Sequence, residues 1–159
     1  MRHTLWQSFQ YAGRGLQAAF WSQRTMRIHI LLAAAVILAV VWLDLSVGET
    51  ALLVVVTAGV LAAELFNTAV EAIVDLEVGD NHHALAGRAK DLSAAAVLVM
   101  AAGAAIVGLL VLAPPVMVAF GFGRLDALAA GRAGVLAAIL ALAAVTMRRA
   151  GDRSGPGAP

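Results

Sequence analysis

Polar and apolar residues come in long blocks along this chain. Apolar residues dominate 28–43, 51–76 and 92–112. Helices of that kind cross a hydrocarbon layer of about 30 Å with roughly 20 residues each. The stretch between the first two blocks, D-L-S-V-G-E-T at 44–50, predicts a short polar turn. The stretch between the last two, E-V-G-D-N-H-H-A-L-A-G-R-A-K at 77–90, predicts a polar loop. The third block ends at Pro114 and Pro115 and is rich in Ala and Gly, which permit close helix packing. Ahead of the first block, Trp6, Phe9, Tyr11, Leu16, Phe20, Trp21 and Met26 alternate with Arg2, Arg14, Arg24 and Arg27. That pattern predicts an amphipathic helix lying on the membrane surface, aromatic side in lipid and Arg side among headgroups. A helix packed on the rest of the protein is the alternative.

Beyond the third block the pattern weakens. Gly121, Gly123, Arg124, Asp126 and Arg132 suggest a loop or interfacial segment over 116–132. Residues 133–147 are apolar again and short for a span, which suits a tilted or locally thinned fourth crossing. The end, R-R-A-G-D-R-S-G-P-G-A-P, is expected to be disordered. The expected organisation is therefore all-α and integral to a membrane. It comprises a surface helix over 1–27, a three-span core over 28–113, an extension with an extra span over 114–147, and a tail over 148–159.

Composition agrees with a membrane protein. The chain has 159 residues, 62% hydrophobic and 13% charged, with a mean hydropathy of +0.88. Roughly 25% charged residues is usual in a soluble domain. The net charge of +1 and the lack of a Lys/Arg run give no nucleic-acid footprint. With no Cys, disulfides and thiolate metal sites are excluded. The first 23 residues lack a signal peptide's apolar core and cleavage site, so the chain is expected to stay uncleaved. Trp42 suits an interfacial anchor. Arg14, Arg24 and Arg27 precede the first span, Arg88 and Lys90 follow the second, and Arg148, Arg149 and Arg153 follow the last apolar run. The positive-inside rule puts these groups in the cytoplasm and the 44–50 turn outside. A fourth span is needed for the last group to agree.

One polar stripe interrupts the second block. Glu64, Asn67, Glu71 and Asp75 fall at i, i+3, i+7 and i+11, so they share one helix face. Acids within a spanning segment are expensive and usually face a protein interior or a water-filled site. The stripe lies in the cytoplasmic half of the span, next to the loop carrying His82, His83, Arg88 and Lys90. Carboxylates and cations meeting at one membrane face suit a nucleotide and its metal. Phosphoryl transfer uses Mg²⁺ on phosphate oxygens, a cation on the phosphates and a base for the acceptor hydroxyl. Glu64, the deeper acid, suits the base; Glu71 suits Mg²⁺; Lys90 suits the phosphates. Neither a Walker loop nor a kinase Gly-rich loop with its lysine is present. A polar seam between helices is the bland alternative for the stripe, and a solvated loop that for His82 and His83. For Lys90 and Asp91 it is a helix start capped by Asp91. A non-enzymatic proton or cation pathway lined by Glu64, Glu71 and Asp75 is the competing function. It would spread its ionisable groups through the membrane depth.

The string E-L-F-N-T-A-V-E-A-I-V-D, followed by H-x-L-A-G-R-A-K-D-L-S-A-A-A-V-L, resembles the bacterial membrane diacylglycerol kinase family, which includes undecaprenol kinases. G-R-G-L-Q-A-A before the first span and W-L-D after it extend the match over about residues 11–107. The resemblance implies a homotrimeric helical bundle in the bacterial inner (cytoplasmic) membrane. Each subunit would have a surface helix and three spans, with ATP and Mg²⁺ held at sites shared between subunits and facing the cytoplasm. It implies phosphorylation of a membrane lipid alcohol, diacylglycerol giving phosphatidic acid, or undecaprenol giving its phosphate. By position, Glu64 matches the family's general base, Asn67 the amide near the reacting groups, and Glu71 a Mg²⁺-binding glutamate. Lys90 matches a phosphate-holding lysine, and Asp91 the acid that orients it or contacts nucleotide. Asp75 and His83 match positions near the nucleotide, and Tyr11 and Arg14 the surface-helix face that covers the site. Gln23 departs from the pattern: the family usually has a Glu there that joins the metal site. With one neutral oxygen, Gln23 is expected to hold Mg²⁺ more weakly. His29, in R-I-H, is closer to the undecaprenol-kinase branch.

Overall fold

The computed structural model describes residues 4–79, 83–123, 126, 129–137 and 139–141. Four long helices carry the chain: α1 (Leu5–Ser22), α2 (Arg24–Trp42), α3 (Val47–Val78) and α4 (Ala84–Ala119). A shorter apolar helix, α5, follows at Ala129–Ala141. Strands are absent among the described residues. By length and composition α2, α3 and α4 are able to cross a membrane, so the chain is a multi-pass membrane protein.

Helix starts follow local chemistry. Thr4 caps α1: its hydroxyl accepts from Gln7 N–H at 3.3 Å while Gln7 Oε1 accepts from Thr4 N–H at 2.9 Å. Ser46 caps α3 in the same reciprocal way with Glu49, at 3.3 and 2.9 Å. That box pulls residues 47–50 into α3, where the polar pattern predicted a turn. Between α2 and α3 the chain reverses through Asp44, at φ 46°, a left-handed value that Asp tolerates better than most side chains.

Three other boundaries also differ from the sequence expectation. The amphipathic helix does not reach Arg27: Gln23, at φ −108° and ψ 121°, breaks it, and Arg24 and Arg27 belong to α2. Gln23 closes α1 through its N–H to Ala19 O at 2.9 Å. The polar stretch 77–90 is mostly helix, because α3 continues to Val78 and α4 begins at Ala84. Gly79, at φ 56°, ends α3 with its N–H on Asp75 O at 3.0 Å. Asp91 therefore lies inside α4 and is not its cap. Finally, α4 runs through Pro114 and Pro115 to Ala119. It stops where Gly121 N–H bonds Val118 O at 3.0 Å and Phe122 N–H bonds Met117 O at 3.1 Å, the paired closure that a glycine at φ 88° permits.

The chain divides into two compact units, Met1–Ala104 and Ala105–Pro159. In the first, α2 and α3 pack as an antiparallel pair and α1 touches both. Its buried apolar residues are few: Ala19 on α1, Met26 on α2, Leu53 and Val60 on α3, and Val97 on α4. Leu53, Val60, Glu64 and Asn67 form one buried stripe on α3, apolar at one end and polar at the other. Leu31, Ile37, Leu38 and Val41 on α2, and Val54, Val55, Phe66 and Ile73 on α3, face outward. Apolar exposure on that scale belongs in lipid or against further protein. In the second unit Gly131 on α5 lies against Pro114, where a first side-chain carbon would meet the ring at 3.6 Å. The expected fourth span over 133–147 is described only as far as this short helix. The rest of it, and the 148–159 tail, lie outside the described residues.

Candidate active site

Among the described residues, the polar end of the α3 stripe is where the first unit buries acid and amide side chains. Glu64 is 2% exposed and Asn67 7%. Glu71 is half-buried and Asp75 exposed, so the shared face grades from interior to solvent over three turns. With 32 residues, α3 is about 48 Å long. It is longer than a hydrocarbon core of about 30 Å.

Partners for these groups come from three helices. Glu64 Oε1 accepts from the Thr25 hydroxyl on α2. Its backbone carbonyl accepts from the Thr68 hydroxyl at 2.9 Å. Asn67 Nδ2 donates to Glu71 Oε1 at 2.9 Å, and Gln23 Nε2 donates to Glu71 Oε2 at 2.9 Å. Asn67 Oδ1 accepts from the Ser93 hydroxyl on α4 at 2.7 Å. Lys90 O is 2.9 Å from the same hydroxyl, but one proton serves one acceptor, and the shorter contact is to Asn67. The result is a chain from Gln23 through Glu71 and Asn67 to Ser93, joining α1–α2, α3 and α4. Every buried side-chain polar atom among the described residues has a partner.

Lys90 pairs with Asp75 at the outer end of the stripe, with side chains 37% and 64% exposed. Exposed pairs of this sort contribute about 0–1 kcal/mol, so this one opens readily to a ligand. On α1 the Arg14 guanidinium lies over the Tyr11 ring, 5.5 Å from its centre. His83 and Asp91 are exposed, just ahead of α4 and in its second turn, outside the hydrogen-bonded chain. His82 lies outside the described residues. Of the residues singled out from sequence, the fold thus links Gln23, Asn67 and Glu71 directly and pairs Asp75 with Lys90. Glu64 sits beside them in the same stripe. Thr25, Thr68 and Ser93 were not anticipated. Ser93 was detectable in part, since Lys90, Ser93 and Val97 share a helical face. Nothing local marks Thr25.

The donor set suits a hard cation. Each Glu71 oxygen accepts one amide N–H, and a carboxylate offers about four acceptor positions, so capacity remains. Gln23 adds an amide oxygen beside it. Among the described residues no three His, Cys, Asp or Glu side chains gather. Oxygen donors with a single carboxylate fit Mg²⁺, which is commonly held by one or two carboxylates together with substrate phosphates.

Fold and site together define a membrane-embedded protein with a polar, acid-bearing centre at one end of its helix bundle. The family model for prokaryotic diacylglycerol kinase matches residues 10–112, more than half of the chain, and the chain belongs to that family. It is 43% identical over 124 residues to a diacylglycerol kinase of Synechocystis, covering 74% of this chain and 71% of that protein. It is 39% identical over 107 residues to an undecaprenol kinase of Bacillus subtilis, covering 67% of this chain and 86% of that protein. To a diacylglycerol kinase of Escherichia coli it is 40% identical over 92 residues, covering 56% of this chain and 72% of the other. Membership makes the chain a lipid kinase, an enzyme that transfers a phosphoryl group.

Proposed function

We propose that this chain transfers the γ-phosphoryl group of ATP to the hydroxyl of diacylglycerol, giving phosphatidic acid, at the cytoplasmic face of the bacterial inner membrane. The observation that carries this reading is the buried Glu64 carboxylate, beside the Gln23–Glu71–Asn67–Ser93 chain, in a helix built to span lipid. Undecaprenol is the second reading of the acceptor, favoured by the 86% coverage of the Bacillus subtilis undecaprenol kinase and by His29.

In the proposed reaction the lipid hydroxyl oxygen bonds to the γ-phosphorus, and the bond from that phosphorus to the β–γ bridging oxygen breaks. ADP leaves, and the hydroxyl proton passes to the Glu64 carboxylate. Asn67 holds its neighbour Glu71 in place through its amide. Glu71, with the Gln23 amide oxygen, would hold Mg²⁺, which when bound neutralises charge on the phosphate oxygens. Lys90, released from Asp75, binds phosphate as a point charge. Asp75, His83 and Asp91 line the nucleotide's approach, with Tyr11 and Arg14 covering it from α1. A stripe on one helix cannot surround a nucleotide, which favours a homotrimer with sites shared between subunits.

The test is Glu64→Gln, which keeps shape and most hydrogen bonding but cannot accept the proton. Loss of a general base costs about 10²–10⁴-fold in rate. The expected variant binds Mg·ATP by calorimetry yet barely phosphorylates diacylglycerol or undecaprenol. Turnover near wild type would make Glu64 a packing residue; loss of ATP binding would move it into the nucleotide site.

A further inference from the structure

Two threonines serve Glu64, in different ways. Thr68 donates to the Glu64 backbone carbonyl four residues earlier, an ordinary bond within one helix. Thr25 donates across helices to the carboxylate itself. It can do so because α2 and α3 form an antiparallel pair. Thr25 stands as many residues before the end of α2 at Trp42 as Glu64 stands after the start of α3 at Val47. The two side chains are therefore level.

Burial sharpens the consequence. Glu64 is 2% exposed, and a buried carboxylate without a donor is costly. Thr25 is the donor that the described residues supply to it. A glutamate has three freely turning side-chain bonds, and a hydrogen bond at one carboxylate oxygen fixes the plane of the group. With Oε1 held by Thr25, Oε2 is left to receive a proton. Two residues before Thr25, Gln23 holds Glu71 by its amide. The break between α1 and α2 thus grips two carboxylates on α3 at once.

We propose that Thr25 is the positioning residue of Glu64: its hydroxyl holds Oε1 so that Oε2 meets the acceptor hydroxyl. This rests on the reading of Glu64 as the base. Thr25 itself is exposed near the start of α2, so its replacement removes little apolar packing, and the melting temperature of each variant reports the cost of leaving Glu64 without its donor.

The experiment uses the full chain in mixed micelles, with dioleoylglycerol and with undecaprenol as acceptors. Thr25→Val keeps the shape and removes the hydroxyl, Thr25→Ser keeps the hydroxyl, and Thr25→Ala guards against a folding defect from the branched apolar side chain. Misplacing a reacting group by about 1 Å costs up to roughly 100-fold. The expected result is a fall in kcat of about 10–100-fold for the Val and Ala variants, with KM for Mg·ATP unchanged and kcat restored in the Ser variant. In a Glu64→Gln background, Thr25→Val should cost nothing more, because both changes remove the same function. Wild-type kcat in Thr25→Val, while Glu64→Gln is inactive, overturns the positioning role and leaves the base in place. An equal further loss in the Glu64→Gln background also overturns it, since Thr25 then acts elsewhere. An active Glu64→Gln enzyme overturns the base and the positioning role together.

Discussion

Gln23 shows how one atom changes the chemistry of a site. Its amide N–H satisfies a Glu71 oxygen at 2.9 Å, so the carboxylate is held without a cation. A glutamate at this position could not donate, and two carboxylates would face one another until a cation came between them. Gln23→Glu should therefore lower the Mg²⁺ concentration for half-maximal activity, because a carboxylate binds a hard cation better than an amide does. It should also make folding depend on the ion: with chelator present, the variant should melt below wild type, and added Mg²⁺ should restore it. Mg²⁺ titrations of activity and melting temperature check both. An unchanged metal dependence would place Gln23 away from the metal. The family resemblance implied a place for Gln23 near a metal. Its bond to Glu71 was not legible, because the two residues are 48 positions apart.

The helices owe their boundaries to short-range chemistry. Ser46 and Glu49 satisfy each other's backbone N–H groups, and the Glu49 carboxylate lies in the first turn of α3, where the helix dipole favours it. Ser46→Ala should destabilise the protein by about 1 kcal/mol. The loss should appear in the unfolding midpoint in denaturant and leave kcat alone, since Glu64 lies past the middle of α3 from the cap. A fall in kcat without a fall in stability would contradict this. The S-x-x-E spacing was present in the sequence, yet the whole stretch D-L-S-V-G-E-T reads more simply as a turn. The α1–α2 break carries no such signal: S-Q-R contains neither Gly nor Pro. Gln23 leaves helical geometry, and its side chain caps nothing, because that side chain is engaged across the fold.

At the scale of the whole molecule, the first unit leaves most of its apolar surface uncovered, including Leu92, Leu98 and Val99 on α4. Lipid covers part of such a surface. For the proposed trimer, cross-linking in bilayers should give a three-chain limit. Mixing inactive Glu64→Gln subunits with inactive Lys90→Ala subunits should recover activity if one site draws these residues from different chains. A chain that is monomeric in mild detergent and fully active would rule the shared site out.

What the sequence determined by itself was periodic and local: three stretches apolar enough to span, an acid–amide stripe at helical spacing, and motifs specific enough to assign a family. The spans and the stripe survive because each depends on residues within a few turns of one another, and the motifs because they are read residue by residue. The tertiary structure alone decided the rest. It buried Glu64 and Asn67 while leaving Asp75 exposed, though all three share one face. It brought Thr25 level with Glu64 and Ser93 against Asn67. Such pairings depend on the rotation and register of one helix against another. That arrangement is set by how α2 packs against α3 and by where α4 meets α3 at Ser93, and no short stretch of sequence contains it.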